Sequence, residues 1–87
     1  MSEIQNAFFL LKSDTRKSSS ELARFISRFP GFKEVWLTEG EYSFVARFNA
    51  PAESLPRLVA KLRKHGAVLE IICLPAPVVL KGSSREV

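Results

Sequence analysis

The chain has 87 residues, a length that allows one domain and excludes two separate hydrophobic cores. Hydrophobic residues make up 46% and charged residues 25% of the sequence, which is typical of a globular domain and excludes a disordered or low-complexity body. The net charge of +4 permits an anionic partner, but a dedicated nucleic-acid binder often has a denser basic cluster.

The cysteine content and the apolar runs narrow the class of protein further. Cys73 is the single cysteine, which excludes a disulfide scaffold and a cysteine-based zinc site. No apolar run approaches the ~20 residues of a membrane span, and the N-terminus lacks the pattern of a signal peptide. We therefore expect a cytoplasmic protein that does not contact a membrane.

The first third of the sequence predicts a strand followed by a helix. Within the predicted strand Ile4–Lys12, the residues Phe8–Leu11 are all apolar, at even and at odd positions, as in a strand buried on both faces. After a polar loop, Ser18 and Glu21 have the spacing of a capping box, which marks the start of a helix. Pro30-Gly31 ends this helix. Its apolar residues recur at helical spacing: Leu22, Phe25, Ile26 and Phe29.

The next segment predicts a hairpin. Phe32–Thr38 and Tyr42–Asn49 have strand patterns, and Glu39-Gly40-Glu41 is a tight turn between them. The even positions of the second strand form one apolar face: Tyr42, Phe44, Ala46 and Phe48. Ser43 and Arg47 lie on the other face.

The last third predicts a second helix and a fourth strand. After a connector that contains Pro51, the helix runs to about Lys64 with Ser54 as its candidate N-cap. Its apolar residues are Leu55, Leu58, Val59 and Leu62, and Pro56 fits only near its start. The strand Ala67–Leu74 follows and is interrupted by Pro75 and Pro77. We expect a short edge strand at Val78–Lys81 and a frayed tail over residues 82–87.

The predicted order βαββαβ indicates an α+β, ferredoxin-like fold of a single domain, residues 1–87. An offset of 33 residues aligns the two helices, for example Leu22 with Leu55 and Phe29 with Leu62. We expect a four-stranded antiparallel sheet with two helices on one face. Because the first and fourth strands are apolar on both faces, the other face needs a cover, and a second copy of the chain is the simplest one.

The sequence gives little support for catalysis. His65 is the only histidine and lies at a predicted helix end, while Cys73 lies inside an apolar strand where a thiol is usually inert. We find no pattern typical of a nucleophile with its base, of a metal site or of a phosphate-binding glycine loop. We therefore expect a non-enzyme without cofactor or metal, and an enzyme of the dimeric ferredoxin-like barrel type ranks last.

An RNA-binding module is the main alternative. Tyr42-Ser43-Phe44-Val45 partly matches the RNA-recognition motif, which has the same βαββαβ order and stacks bases on strand aromatics. The match is incomplete, because Glu39 precedes the glycine and Arg47 stands where a third aromatic is expected.

The stretch from Gly31 to Leu74 resembles the ligand-binding (RAM, ACT-like) domain of Lrp/AsnC transcriptional regulators. The resemblance covers roughly residues 4–81. Its matching residues are Gly31, Val35, Thr38, Gly40, Tyr42, Leu55, Val59, Leu62 and Gly66. It implies a ferredoxin-like domain that dimerises through its sheet, assembles further into octamers and binds small, amino-acid-like effectors between subunits near the hairpin.

The same resemblance implies a stand-alone domain without the family's helix-turn-helix, and hence no direct contact with DNA. Such a domain acts as an effector sensor linked to transcription, or co-assembles with full-length Lrp/AsnC regulators. The implied ligand-binding residues are Thr38, Glu39, Gly40, Glu41, Tyr42, Ser43, Glu70 and Ile72. Ser43 replaces the family's hairpin aspartate, while Glu70 and Ile72 stand where the family often has threonines.

Overall fold

The fold is a four-stranded antiparallel sheet with two helices. The computed structural model describes residues 3–14 and 19–78. The elements in chain order are β1 (Ile4–Ser13), α1 (Ser19–Ser27), β2 (Phe32–Leu37), β3 (Phe44–Pro51), a short 3-10 turn (Ala52–Ser54), α2 (Leu55–Arg63) and β4 (Val68–Ala76). The strand order in the sheet is β2-β3-β1-β4. This confirms the predicted ferredoxin-like βαββαβ fold.

Both helices pack on the same face of the sheet, which we call the helix face. Every second residue of β1 and β3 points into this core: Ala7, Phe9, Leu11, Phe44, Ala46, Phe48 and Ala50 are buried. Leu22 and Ile26 of α1 and three leucines of α2 close the core from above. The rings of Phe9 and Phe48 meet edge to face with centroids 5.3 Å apart.

The opposite face of the sheet, which we call the open face, carries an apolar band. Backbone pairing places Leu10 beside Val45 and Ile72, and it places Phe8 beside Leu74. The band consists of Phe8, Leu10, Trp36, Val45, Ile72 and Leu74. Trp36 is 44% and Leu74 48% exposed. The structure thus confirms that large apolar side chains lie on both faces of β1 and β4.

Several strand boundaries differ from the prediction by one or two residues, and two of these differences have a clear physical reason. The prediction that β3 begins at Tyr42 was wrong: β3 begins at Phe44, because the N–H of Thr38 donates to the carbonyl of Ser43 (2.8 Å) and makes residues 38–43 the closed end of the hairpin. The prediction that Pro75 interrupts β4 was also wrong. β4 is an edge strand, which needs backbone hydrogen bonds on one side only, and it therefore continues through Pro75.

The helix starts also differ in part from the prediction. Ser54 occupies the N-cap position of α2 as predicted, but its hydroxyl donates to the carbonyl of Pro51 (2.8 Å) rather than accepting from a helix amide. Pro56 lies in the first turn, where a missing N–H costs no helical hydrogen bond. Ser18 of the predicted capping box, residues 79–81 of the predicted edge strand and the tail 82–87 lie outside the described residues.

Candidate functional site

The closed end of the β2–β3 hairpin is held by backbone and side-chain hydrogen bonds. The hydroxyl of Thr38 donates to the carbonyl of Tyr42 (2.8 Å), which ties the two arms of the turn together. Gly40 has φ of +110° at the tip, a conformation that favours glycine. Glu39 and Glu41 flank it and are exposed. The turn glycine is therefore required by the backbone, whether or not a ligand binds there.

Ser43 anchors this hairpin to the central strand. Its N–H donates to the carbonyl of Leu11 (2.8 Å), and its hydroxyl oxygen accepts from the N–H of Ser13 at 3.4 Å. The side chain that replaces the family's aspartate thus lies against the end of β1. A serine there supplies a hydrogen-bond acceptor without a charge.

Beside the hairpin, four charged or polar side chains from three segments come together in what we call the hairpin cluster. It consists of Lys12, Glu41, Tyr42 and Glu70. The ammonium of Lys12 lies 3.5 Å from Glu41 Oε2 and 3.6 Å from Glu70 Oε1. The phenol of Tyr42 donates to Glu70 Oε2 (3.2 Å), and the Lys12 ammonium lies 5.9 Å from the centre of the Tyr42 ring.

The electrostatics of the cluster follow from these contacts. Burial alone would lower the pKa of Lys12, but the carboxylates of Glu41 and Glu70 outweigh it and raise that pKa. Burial and the Glu70 carboxylate raise the pKa of Tyr42. Lysine therefore stays charged and tyrosine stays neutral at physiological pH. Counted by formal charge, one lysine and two glutamates give the cluster one net negative charge.

The structure brings together five of the eight residues expected to bind a ligand: Thr38, Glu41, Tyr42, Ser43 and Glu70. Gly40 and Glu39 form the exposed tip next to them. Ile72 lies two residues further along β4, in the apolar band opposite Leu10. Sequence reasoning missed Lys12, although strand alternation already placed it on the face opposite to Leu11.

Two grooves lie away from the hairpin. One, of about 450 Å³, lies between α1 and the end of α2 and is lined by Glu21, Arg24, Phe25, Arg28 and His65. The other, of about 490 Å³, is apolar, lies between α2 and β4 and includes Leu55, Val59 and Cys73. Burial raises the pKa of the Cys73 thiol. The thiol is therefore protonated and a poor nucleophile at neutral pH.

The structure shows no arrangement that favours catalysis within the described residues. The Nδ1 atom of His65 accepts a hydrogen bond from the N–H of Ala67 (3.0 Å), so this nitrogen is occupied by the backbone. No three histidine, cysteine or carboxylate side chains of residues 3–14 and 19–78 are grouped as a metal site. None of the helices in this part of the chain is long and apolar enough to cross a membrane.

The alternative of RNA binding finds no support in the geometry. Phe44, the second aromatic of the motif, is 2% exposed and lies in the core under the helices, where it cannot stack on a base. Tyr42 lies beside two carboxylates, which repel a phosphate backbone.

Comparison with known proteins finds similar folds among solved structures. No family model and no curated protein matches the sequence. The crystal structure of TTHA0845 from Thermus thermophilus matches with a TM-score of 0.80 at 23% identity, over 92% of this chain and 100% of that one. An AsnC family transcriptional regulator from Agrobacterium tumefaciens matches with a TM-score of 0.74 at 13% identity, over 95% of this chain and 56% of that one. The fold is RAM-like.

E. coli AsnC shows the same relationship, with a TM-score of 0.70 at 14% identity over 87% of this chain and 54% of that one. The RAM-like chain thus spans about half the length of the AsnC regulators, whereas it spans the whole of TTHA0845. The structures that share its fold therefore include named transcriptional regulators.

Proposed function

We propose that this RAM-like chain is a self-associating, effector-sensing domain of the AsnC/Lrp type, linked to transcription regulation. The shared fold with AsnC regulators supports the regulatory class. The observation that carries the proposal is the apolar band of the open face, because it explains how such a domain assembles.

The band is larger and more continuous than an isolated exposed side chain. It runs across all four strands, from Trp36 on β2 through Val45 and Leu10 to Ile72 on β4. Monomeric proteins rarely leave such a contiguous apolar patch in water. A second copy offers a matching twisted sheet of the same composition, and a two-fold axis pairs the band with itself.

Polar side chains border the band on both sides and fit the rim of an interface. Arg47 Nε donates to Glu34 Oε2 (2.8 Å) and its Nη1 donates to Asn6 Oδ1 (2.9 Å). At the other end lies the hairpin cluster. Because Arg47 is already paired with Glu34 and Asn6 within the chain, a second copy can cover that side of the band without leaving the guanidinium unpaired.

The hairpin lies at the edge of this proposed interface and is the place for a small-metabolite effector. A ligand that contacts the hairpin of one copy and the sheet of another binds the associated subunits better than the separate ones. It therefore shifts the population of assemblies, which is the way in which such a domain responds to a metabolite.

The experiment is absolute molar mass by light scattering at two protein concentrations, with matched leucine variants. Leu74→Glu places a carboxylate in the band, whereas Leu37→Glu places one at an exposed leucine on the helix face. Burying the exposed half of Leu74 contributes about 1 kcal/mol per subunit, or about 2 kcal/mol per dimer. We therefore expect Leu74→Glu to raise the dimer dissociation constant at least about 30-fold.

The single tryptophan gives a second readout of the same equilibrium. Trp36 is the only tryptophan and lies in the band, so its fluorescence should shift to longer wavelength on dilution. Co-assembly with full-length AsnC/Lrp-type regulators would use the same face, and Leu74→Glu should weaken it as well. A native monomer at both concentrations, or equal effects of the two leucine variants, contradicts the proposal.

A further inference from the structure

The hairpin cluster has the chemistry of a small cation site that already contains a cation. Two carboxylate oxygens, from Glu41 and Glu70, lie at 3.5 Å and 3.6 Å from the ammonium of Lys12. The face of the Tyr42 ring lies 5.9 Å from the same ammonium, within the range of a cation–π contact. Two carboxylates and an aromatic ring are a set of groups that binds organic ammonium ions.

We propose that Lys12 is an internal ligand, whose ammonium occupies the position that the ammonium of an external amine would take at this hairpin. The inference deepens the proposed effector site, and it rests on that proposal only for the place of the site. Lys12 is then a specificity-determining residue, because it closes the hairpin of the native chain to ligands that bind through a primary ammonium group.

The position of Lys12 on β1 makes its ammonium a strong competitor of an external amine for the two carboxylates. Its Cα is fixed by pairing with Glu70 on β4, and so its side chain stays within reach of the two carboxylates. A tethered group of this kind acts at an effective concentration in the millimolar range or above. A free amine must exceed that concentration to displace it.

The charge of the cluster supports the same conclusion. With Lys12 in place the cluster carries one net negative charge, and without the lysine it carries two net negative charges. The carboxylates remain accessible to a ligand, since the side chains of Glu41 and Glu70 are 66% and 49% exposed. Loss of the lysine charge therefore leaves a site that attracts a small cation more strongly and has no occupant of its own.

The test uses ethylammonium as the probe and the backbone amide chemical shifts of Glu41, Tyr42 and Glu70 as the readout. In Lys12→Met, which keeps an unbranched apolar stem, we expect the apparent Kd for ethylammonium to fall at least about fivefold below that of the native chain. Lys12→Arg retains a cation and should bind the probe no better than the native chain.

Two further variants separate the site from general charge effects. Lys33→Met removes the same charge from an exposed position on β2 and should leave the apparent Kd unchanged. The double variant Lys12→Met/Glu70→Gln should lose the gain, because one carboxylate of the site is gone. If Lys12→Met disturbs the fold, Lys12→Gln serves with the same expectation.

The inference is overturned if Lys12→Met binds ethylammonium no more tightly than Lys33→Met, or if the shifted amides lie away from the hairpin. This outcome is distinct from a failure of the proposed function, which is read from molar mass. A monomeric chain that gains ethylammonium binding in Lys12→Met would refute the self-association and leave the internal ligand in place.

Discussion

Replacing Gly31 by alanine should disturb the start of β2 more than any other glycine substitution among the described residues. Gly31 has φ of +88°, and a Cβ built there overlaps the backbone carbonyl oxygen of Asn49 on β3. The strain of an alanine in this conformation is about 1–2 kcal/mol. Relief of the overlap must move one strand relative to the other, which adds about 1–3 kcal/mol.

Two other glycines provide matched controls for this substitution. Gly40 also has a positive φ, +110°, but no atom lies within 4 Å of a Cβ placed on it. Gly40→Ala should therefore cost the backbone strain alone, about 1–2 kcal/mol. Gly66 has open space and needs no positive φ, so Gly66→Ala should be neutral or stabilise by up to about 1 kcal/mol.

The assay is urea denaturation of all four proteins at one protein concentration, because self-association makes apparent stability depend on concentration. We expect the free energy of unfolding to decrease in the order Gly66→Ala, native, Gly40→Ala, Gly31→Ala. The amide proton of Asn49 donates to the carbonyl of Gly31 (2.8 Å), and it should exchange with solvent faster in Gly31→Ala. A Gly31→Ala protein as stable as Gly40→Ala would refute the claim that strand contact at Asn49 requires glycine.

The remaining predictions concern titration and the core. Because Tyr42 is the only tyrosine, the ultraviolet phenolate signal reports its titration alone. The pKa of Tyr42 measured in this way should lie above 10.0. It should fall toward that value in Glu70→Gln but not in Glu39→Gln. Since the folded chain holds the protons of Tyr42 and Lys12 more tightly than the unfolded chain, folding stability should fall as pH rises above about 10, and unchanged stability there would contradict the contacts. Phe9→Ala, at a fully buried site, should cost about 3–5 kcal/mol by urea denaturation, and a cost below 1 kcal/mol would place Phe9 outside the core.

The fold was predictable from the sequence because its periodicities are local. The helical spacing of Leu22 and Ile26 identified the buried side of α1, and the alternation of Phe44, Ala46 and Phe48 identified the buried side of β3. The tip of the hairpin turn at Gly40 was also predicted in the right place, although the turn extends to Ser43. The end of β4 was not, because tolerance of Pro75 depends on the strand's lying at the sheet edge, which is a property of the whole topology.

The hairpin cluster was predicted only in part, for a physical reason. Glu41 and Tyr42 are neighbours in the hairpin turn, so their proximity follows from the sequence. The pairing of Lys12 with Glu70 depends on the register between β1 and β4, two strands that are far apart in the sequence. A strand pattern does not give the register between two such strands, and a shift of one residue would pair Lys12 with Leu69 or Ile71 instead of Glu70.

The positions of the band and the cluster on the same strands couple the two proposals. Leu10 and Lys12 lie two residues apart on one face of β1, and Ile72 and Glu70 do the same on β4. A second copy that covers the band therefore also displaces water from the edge of the ion pairs. Removal of water strengthens the attraction between Lys12 and its carboxylates, because the effective dielectric constant falls. Association through the open face and retention of the internal ammonium thus favour each other, and a cation that displaces Lys12 must act against both.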